Sequence, residues 1–516
     1  MRHAWKTLLL VTFFFSKGKL SLIAVEIFSF IIGIANECVP YRIDNDVIAC
    51  VCNATYCDGL PDGRPEVPEE GNSYWYVSNK QGLRMKMSEL KFDSCENFPV
   101  DVTLTIDNTK KYQTIFGFGG AFTDSTGINI AKLSPVYDPF YFTYIIITRY
   151  TLGRIPIGAS DFSERSYTYD DTPNDTTLKH FSLANEDFDY KLLYARKALE
   201  FNSEIKFFSA AWTAPLWMKS NDNGLTFLKE EYYQVYADYL LKFLDEYKNN
   251  GIDIWAITTG NEPLTALIFK LPNISMGWEP ETMSNWIANN LGPTLASSPH
   301  NKTLLFAFDE NRQVLPKFIE PTFRNQNAKK YVAGTAVHWY QDSKTPADVL
   351  DQTHDEFPDK LIFMTEASVI GPPIWNTSKV KLESWHRGER YILSIIEYMN
   401  HWSIGWVDWN LALDETGGPN NVNNNIDAAI IVNPKTDEFY KQPMYYAIKH
   451  FSRFVDRGSV RISITDTDTI KSAAFVTPSA ENVVVLYNRH VVLKDVQKGT
   501  LCLELSPQSM NTLKYK

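Results

Sequence analysis

No run of basic residues occurs anywhere in this 516-residue sequence, and its formal net charge is −11. That excludes nucleic acid as a partner and argues against attachment to an anionic surface by bulk charge alone. Cysteine is scarce, with six in all, and four of them crowd together as Cys38, Cys50, Cys52 and Cys57. No histidine stands among these four and their spacings fit a zinc site poorly, so in an exported chain two short-range disulfides are the better reading. Sequence leaves the state of Cys95 and Cys502 open. There is no internal repeat, and the Asn-rich stretch Asn420 to Asn425 is too short to be more than a loop. Phe116-Gly-Phe-Gly-Gly-Ala121 looks at first like a dinucleotide-binding turn. It lacks the third glycine at the right offset and an acidic residue after the next strand, and a tight turn at a first strand is expected instead.

Aromatic residues make up 14% of the chain, including 13 Trp. That suits a large aromatic core, and equally a surface that holds the apolar faces of sugar rings. Arg2, His3 and Lys6 precede an apolar run from Leu8 to Phe15, and a second run from Leu20 to Ala35 is interrupted by Glu26. Neither run reaches the uninterrupted length of a membrane helix, and the segment reads as a targeting signal with Gly33-Ile34-Ala35 as a cleavage site; a membrane anchor is the rival. Asn-x-Ser/Thr sequons begin at Asn53, Asn174, Asn273, Asn301 and Asn376 and predict glycosylation on the exported route.

A chain of this length predicts a large domain with smaller companions. Between Tyr112 and Trp409, short β-rich runs alternate with helical stretches, the pattern of parallel β/α units. Eight strands are expected: Thr114 to Gly119, Gly153 to Gly158, Ile205 to Ala210, Ile254 to Thr259, Thr303 to Phe308, Val332 to His338, Leu361 to Thr365, and Ile404 to Trp409. Eight such units close a (β/α)8 TIM barrel. Among the helices, Glu230 to Tyr247 places Tyr232, Val235, Tyr239, Phe243 and Tyr247 on one stripe. Near the end, Val460 to Ile464, Asn482 to Tyr487 and Leu501 to Leu505 are short strands without intervening helices, which indicates a β-sandwich. The expected division is a targeting segment at 1–35, a small disulfide-stapled β-sheet from 36–65 with 411–443, a β-sandwich from 66–108 with 458–516, and the barrel from 109–410 with 444–457.

Two carboxylates stand where apolar strands end: Glu262 after Ile254-Trp-Ala-Ile-Thr-Thr-Gly-Asn, and Glu366 after Leu361-Ile-Phe-Met-Thr. Parallel barrels carry their chemistry at the carboxyl ends of the strands, and a pair of carboxylates there is what sugar-bond hydrolysis requires. Either glutamate alone reads better as a strand cap or an arginine partner. Together with Asn261, which can bond a sugar hydroxyl, they predict a glycosidase that retains anomeric configuration.

The motifs Phe116-Gly-Phe-Gly-Gly-Ala-Phe-Thr-Asp124, Asp161-Phe-Ser163, Tyr167-Thr-Tyr-Asp-Asp-Thr-Pro173, Trp212-Thr-Ala-Pro215, Asn261-Glu-Pro263, Ala336-Val-His-Trp-Tyr340, Thr365-Glu-Ala367 and Asp408-Trp-Asn-Leu-Ala-Leu413 together resemble the glucosylceramidases of glycoside hydrolase family 30. The resemblance runs from about Cys38 to the end. It implies Glu262 as acid/base and Glu366 as nucleophile in a double displacement on glucosylceramide, a step of sphingolipid catabolism. Arg154 would sit beside the nucleophile and favour its charge, Tyr340 would bond to it, and His338 would support the pair, although a satisfied core histidine fits equally well. Asp161 and Trp409 would bind glucose hydroxyls, Trp212 would line the pocket, and Asn261 and Asn424 would lie around it. Disulfides Cys38–Cys50 and Cys52–Cys57 are also implied, as are lysosomal residence, an anionic phospholipid surface and a saposin-type activator. No metal or organic cofactor is implied. Another β-glucoside or β-xyloside as substrate, or a glycolipid-binding role without catalysis, are the alternatives.

Two departures from the family pattern bear on this. Leu264 to Asn273 replaces the aromatics that usually shape the leaving-group entrance, which puts lipid preference in doubt. Asp138 to Tyr150 is an apolar, β-prone run where a polar stretch is usual, and such a run is an aggregation hazard if exposed.

Overall fold

The structure is a computed structural model that describes residues 37–43, 46–53, 55–59, 64–93, 102–134, 149–220, 226–269, 271–370, 379–382, 384–465, 467, 469–487, 491–495 and 499–516. The targeting segment, Cys95, the sequon at Asn376 and most of the run from Asp138 lie outside these residues. Among the described residues no helix is long and apolar enough to cross a membrane.

Eight parallel strands close into a barrel in chain order: Gly117–Ala121, Leu152–Ile157, Lys206–Ala211, Ile254–Thr258, Leu304–Asn311, Val332–His338, Leu361–Glu366 and Ser403–Asn410. The eight expected strands are all present, with shifted ends. Thr114 belongs to a preceding strand, Thr103–Thr114, of another sheet. The Gly-rich motif is the first barrel strand itself rather than a turn, because neighbouring backbones pass too close for side chains. A Cβ added at Gly119 would lie 1.8 Å from the carbonyl oxygen of Leu152. Inside the barrel, Leu152, Phe208, Ala256, Phe306, Ala336, Phe363 and Val407 form one packed cluster, as expected of a filled rather than hollow barrel.

The helix after the third strand starts later than its sequence stripe suggests. Glu230–Tyr232 is a single 3₁₀ turn, the α-helix runs Tyr233–Asn249, and its buried face is Tyr236, Tyr239, Leu240, Phe243, Leu244 and Tyr247. Tyr232 and Val235 lie at its half-buried margin. Lys191, buried, bridges Asp187 at 2.9 Å and Asp124 at 3.7 Å, which ties the outer segments following the first two strands together.

A five-stranded sheet joins Pro40–Ile43 and Asp46–Cys52 to Glu438–Lys441, Ile430–Asn433 and Ala412–Asp414. The disulfides Cys38–Cys50 and Cys52–Cys57 staple its edge. Cross-linking short loops like these removes unfolded-state freedom, worth roughly 2–3 kcal/mol each. Cys502 is disulfide-bonded as well. The β-sandwich is a nine-stranded sheet in which Thr103–Thr114, Val460–Ile464, Lys471–Val476, Asn482–Tyr487 and Ser509–Tyr515 are central, closed over Leu104, Ile106, Ile462, Val484, Leu486 and Leu513. Asn174, Asn273 and Asn301 are exposed, whereas the half-buried Asn53 side chain accepts from the backbone and hydroxyl of Thr55.

Candidate active site

Six barrel strands and the loops just past their carboxyl ends deliver the ten residues singled out above. Glu366 is the last residue of the seventh strand and His338 the last of the sixth, with Tyr340 two residues on. Glu262 lies four residues beyond the fourth strand and adopts a left-handed backbone, φ 47°, which turns its side chain back over the barrel. One carboxylate oxygen of Glu262, one of Glu366 and a ring nitrogen of His338 all lie within 4.8 Å of one another.

Each carboxylate has its own surroundings. Glu366 accepts from Arg154 Nη1 through one oxygen and from Tyr340 Oη at 2.6 Å through the other. Arg154, on the second strand, is fully buried, and its other amino group donates to Asn261 Oδ1 at 2.8 Å and Asp309 Oδ2 at 3.0 Å. Glu262 meets His338 Nδ1 at 3.0 Å. Withdrawal from water raises the pKa of Glu262, and the nearby Glu310 adds to this against the pull of His338 and Arg154. Burial opposes the charged form of His338, but Glu366 and the hydrogen bonds to Asp309 and Glu262 outweigh it and raise its pKa to about 10. Both ring nitrogens of His338 thus face carboxylate oxygens, an arrangement that favours the charged imidazolium.

The residue that joins these parts, Asp309, escaped the sequence reading. Its Oδ1 accepts from His338 Nε2 at 3.1 Å and Thr365 Oγ1 at 2.6 Å, and its Oδ2 from Arg154 at 3.0 Å and Thr258 Oγ1 at 2.9 Å. Burial is opposed by Arg154, His338 and Thr365, which together hold its carboxyl below the ordinary carboxylate range. The strand expected to stop at Phe308 runs to Asn311, with a bulge and positive φ at Phe308 and Asp309 that re-aim the carboxylate inward. The available signal was an apolar run ending in acidic residues, as at Glu262 and Glu366.

Trp212, just past the third strand, stacks on Trp409 of the eighth at 5.0 Å, and the guanidinium of Arg154 lies 5.0 and 5.2 Å from the two rings. Asp161, in the loop after the second strand, has one oxygen 3.4 Å from Asn424 Nδ2 and the other buried with no side-chain partner among the described residues. Burial, then the charges of Glu366 and Glu262, push its pKa up to about 7. All ten residues thus gather at one site, Asn424 by way of Asp161. Two nearby carboxyl groups, one beside a cation and one driven toward its neutral form, are the kind of pair that can serve as nucleophile and proton donor.

Residues 115–455 match the TIM-barrel domain of glycosyl hydrolase family 30, and residues 458–513 match that family's beta sandwich domain. The chain belongs to glycosyl hydrolase family 30. It is a glycosidase. Lysosomal acid glucosylceramidase of Mus musculus is 40% identical over 468 residues, 88% of this chain and 90% of the mouse protein. Among solved structures, SrfJ from Salmonella typhimurium superposes with a TM-score of 0.79 at 25% identity, covering 86% of this chain and 99% of that one. An endo-β1,6-glucanase does so with a TM-score of 0.75 at 27% identity, over 86% and 99% of the two chains.

Proposed function

We propose that this family 30 glycosidase is a retaining β-glucosidase that hydrolyses glucosylceramide to glucose and ceramide, in sphingolipid catabolism. One observation carries the double displacement: the oxygens of Glu262 and Glu366 approach within 4.8 Å. An inverting enzyme separates its carboxyl groups by about 6.5–9.5 Å to admit a water, whereas a retaining one holds them about 5 Å apart. In this reading Glu366, with Arg154 and Tyr340 donating to its oxygens, attacks the anomeric carbon. Glu262 protonates the departing ceramide oxygen, then takes a proton from the water that frees glucose. Trp212, Trp409, Asp161, Asn261 and Asn424 bind the sugar.

The identity to the mouse lysosomal enzyme supports the substrate and a lysosomal location; an anionic phospholipid surface and a saposin-type activator are part of the same proposal and rest on the family resemblance alone. Glycans at the exposed Asn174, Asn273 and Asn301 belong to the same route. The test is ceramide release from glucosylceramide at acidic pH with anionic lipid present. Similarity to an endo-β1,6-glucanase favours a β-1,6-glucan as the second reading. Turnover of that glucan, or of an aryl β-xyloside, without ceramide release would establish the alternative.

Two consequences follow for kinetics. Because the pKa of Glu262 is raised, its acid form persists above the ordinary carboxylate range, and kcat/KM for an aryl β-glucoside should fall only as pH rises through that raised value. Glu262→Gln should abolish this alkaline limb; a limb of unchanged midpoint in the variant would assign it elsewhere. Trp212→Ala removes one wall of the sugar pocket and disturbs the indole stack that flanks Arg154. The KM for an aryl β-glucoside should rise about tenfold, matching the ~1.5 kcal/mol upper range of an aromatic contact. An unchanged KM would place the sugar elsewhere.

A further inference from the structure

A buried lysine near the site has no part in the chemistry above. Lys219 is 4% exposed, and its ammonium donates to Thr213 Oγ1, to the carbonyl of Pro272 and, at 3.2 Å, to the carbonyl of Ser275. Three N–H donors meet three oxygen acceptors, which satisfies a charged ammonium completely. Among the described residues none of these partners is a carboxylate. Asp222 and Lys270, on the same loops, lie outside them.

The acceptors belong to two different segments. Thr213 immediately follows Trp212 at the end of the third barrel strand. Pro272 and Ser275 lie on the segment that leaves Glu262 after the fourth, either side of the exposed Asn273. Ser275 also accepts from Thr213 Oγ1 at 3.3 Å and Thr226 Oγ1 at 2.9 Å, and Gly277 N–H bonds Thr226 at 2.8 Å. The lysine backbone bridges Leu228. Near this junction three apolar side chains face water: Leu216 at 55% exposure, Ile268 at 70% and Leu271 at 39%. A segment that continues from the residue protonating the leaving oxygen borders the leaving-group side, where an apolar rim suits a lipid.

We propose that Lys219 is a positioning residue: its charged ammonium fastens the Leu271-to-Ser275 loop to the segment after Trp212, and so sets the apolar rim that receives the lipid leaving group. The substrate half of this rests on the glucosylceramide reading.

Amide hydrogen exchange at pH 5 compares the wild type with Lys219→Met. Protection at Ile274 and Gly277, whose N–H groups bond Leu271 and Thr226, should fall about tenfold in the variant. Unchanged protection overturns the proposal. The ratio of kcat/KM for short-chain glucosylceramide to that for an aryl β-glucoside should then drop about tenfold at pH 5, through the KM of the lipid. A wild-type ratio in Lys219→Met overturns the link to the lipid. No lipid turnover by wild type, with protection at these amides lost in Lys219→Met, would instead remove the glucosylceramide reading and leave the strap standing.

Discussion

Glu366→Gln will reduce hydrolysis of an aryl β-glucoside by about four orders of magnitude or more, because no other group can form the bond to the anomeric carbon. Glutamine keeps the volume of the side chain, and its carbonyl oxygen still accepts from Arg154, so the fold survives the change. The informative step is rescue. In Glu366→Gly, azide can enter from the vacated face and should yield the α-glucosyl azide, with configuration inverted. In Glu262→Gly the glycosyl-enzyme still forms from an activated substrate, and azide should displace Glu366 to give the β product. Exchange of those two outcomes would reverse the two roles. Labelling of Glu366 by a cyclitol epoxide gives an independent check, and wild-type turnover by Glu366→Gln would end the assignment.

Asp309→Asn should be the most damaging change at a residue that never meets the sugar. Four donors converge on its two oxygens, two of them on the buried cations Arg154 and His338. An asparagine presents an NH₂ group to one pair of those donors and leaves both cations undercompensated. Breaking a buried charge pair from one side costs about 3–5 kcal/mol. Displacing Arg154 and His338 displaces Glu366 and Glu262 with them, and a shift of about 1 Å at reacting groups lowers turnover on the order of 100-fold. Wild-type thermal inactivation and turnover in this variant would show the network to be dispensable.

The same network fixes how stability depends on pH. Asp309 has its pKa lowered from 3.8, so its contribution is complete above about pH 4 and is lost as pH falls through the folded value. His338 has its pKa raised from 6.5 to about 10, so its contribution is complete below 6.5 and is lost as pH rises toward 10. Asp161 and Asp408 are raised from 3.8 to about 7 and about 8, chiefly by burial, so the folded state is weakened progressively as pH rises above 3.8. Taken together these four groups place greatest stability on the acid side, at about pH 4, where Asp309 is ionised and Asp161 and Asp408 still hold their protons. In Asp309→Asn the loss below pH 4 should flatten. A wild-type maximum in the thermal midpoint at pH 8 would contradict the balance.

Several parts of this molecule could be read locally. Apolar runs of five or six residues at β/α spacing specified eight strands, because a strand buried on both faces has few other ways to satisfy its pattern. Glu262 and Glu366 stood out because a charge ending such a run is expensive unless it faces a functional cavity. Asp309 obeyed the same rule but sat one residue past an expected boundary that a bulge had moved. The helix stripe slipped because Tyr232 lies in a 3₁₀ turn, whose side chains follow a different period from the α-helix behind it.

What the sequence determined by itself was the inventory: barrel strands, sandwich strands, the crowded cysteines, and carboxylates at strand ends. These depend on near neighbours along the chain. Tertiary structure alone decided which groups share a proton or a charge. Closure of the barrel brings Arg154, Glu262, Asp309, His338 and Glu366 from five strands to one centre, where Coulomb interactions and lost hydration depend on separation in space rather than in sequence. It also made Lys219, an unremarkable residue in a loop, the link between two segments that part from different strands.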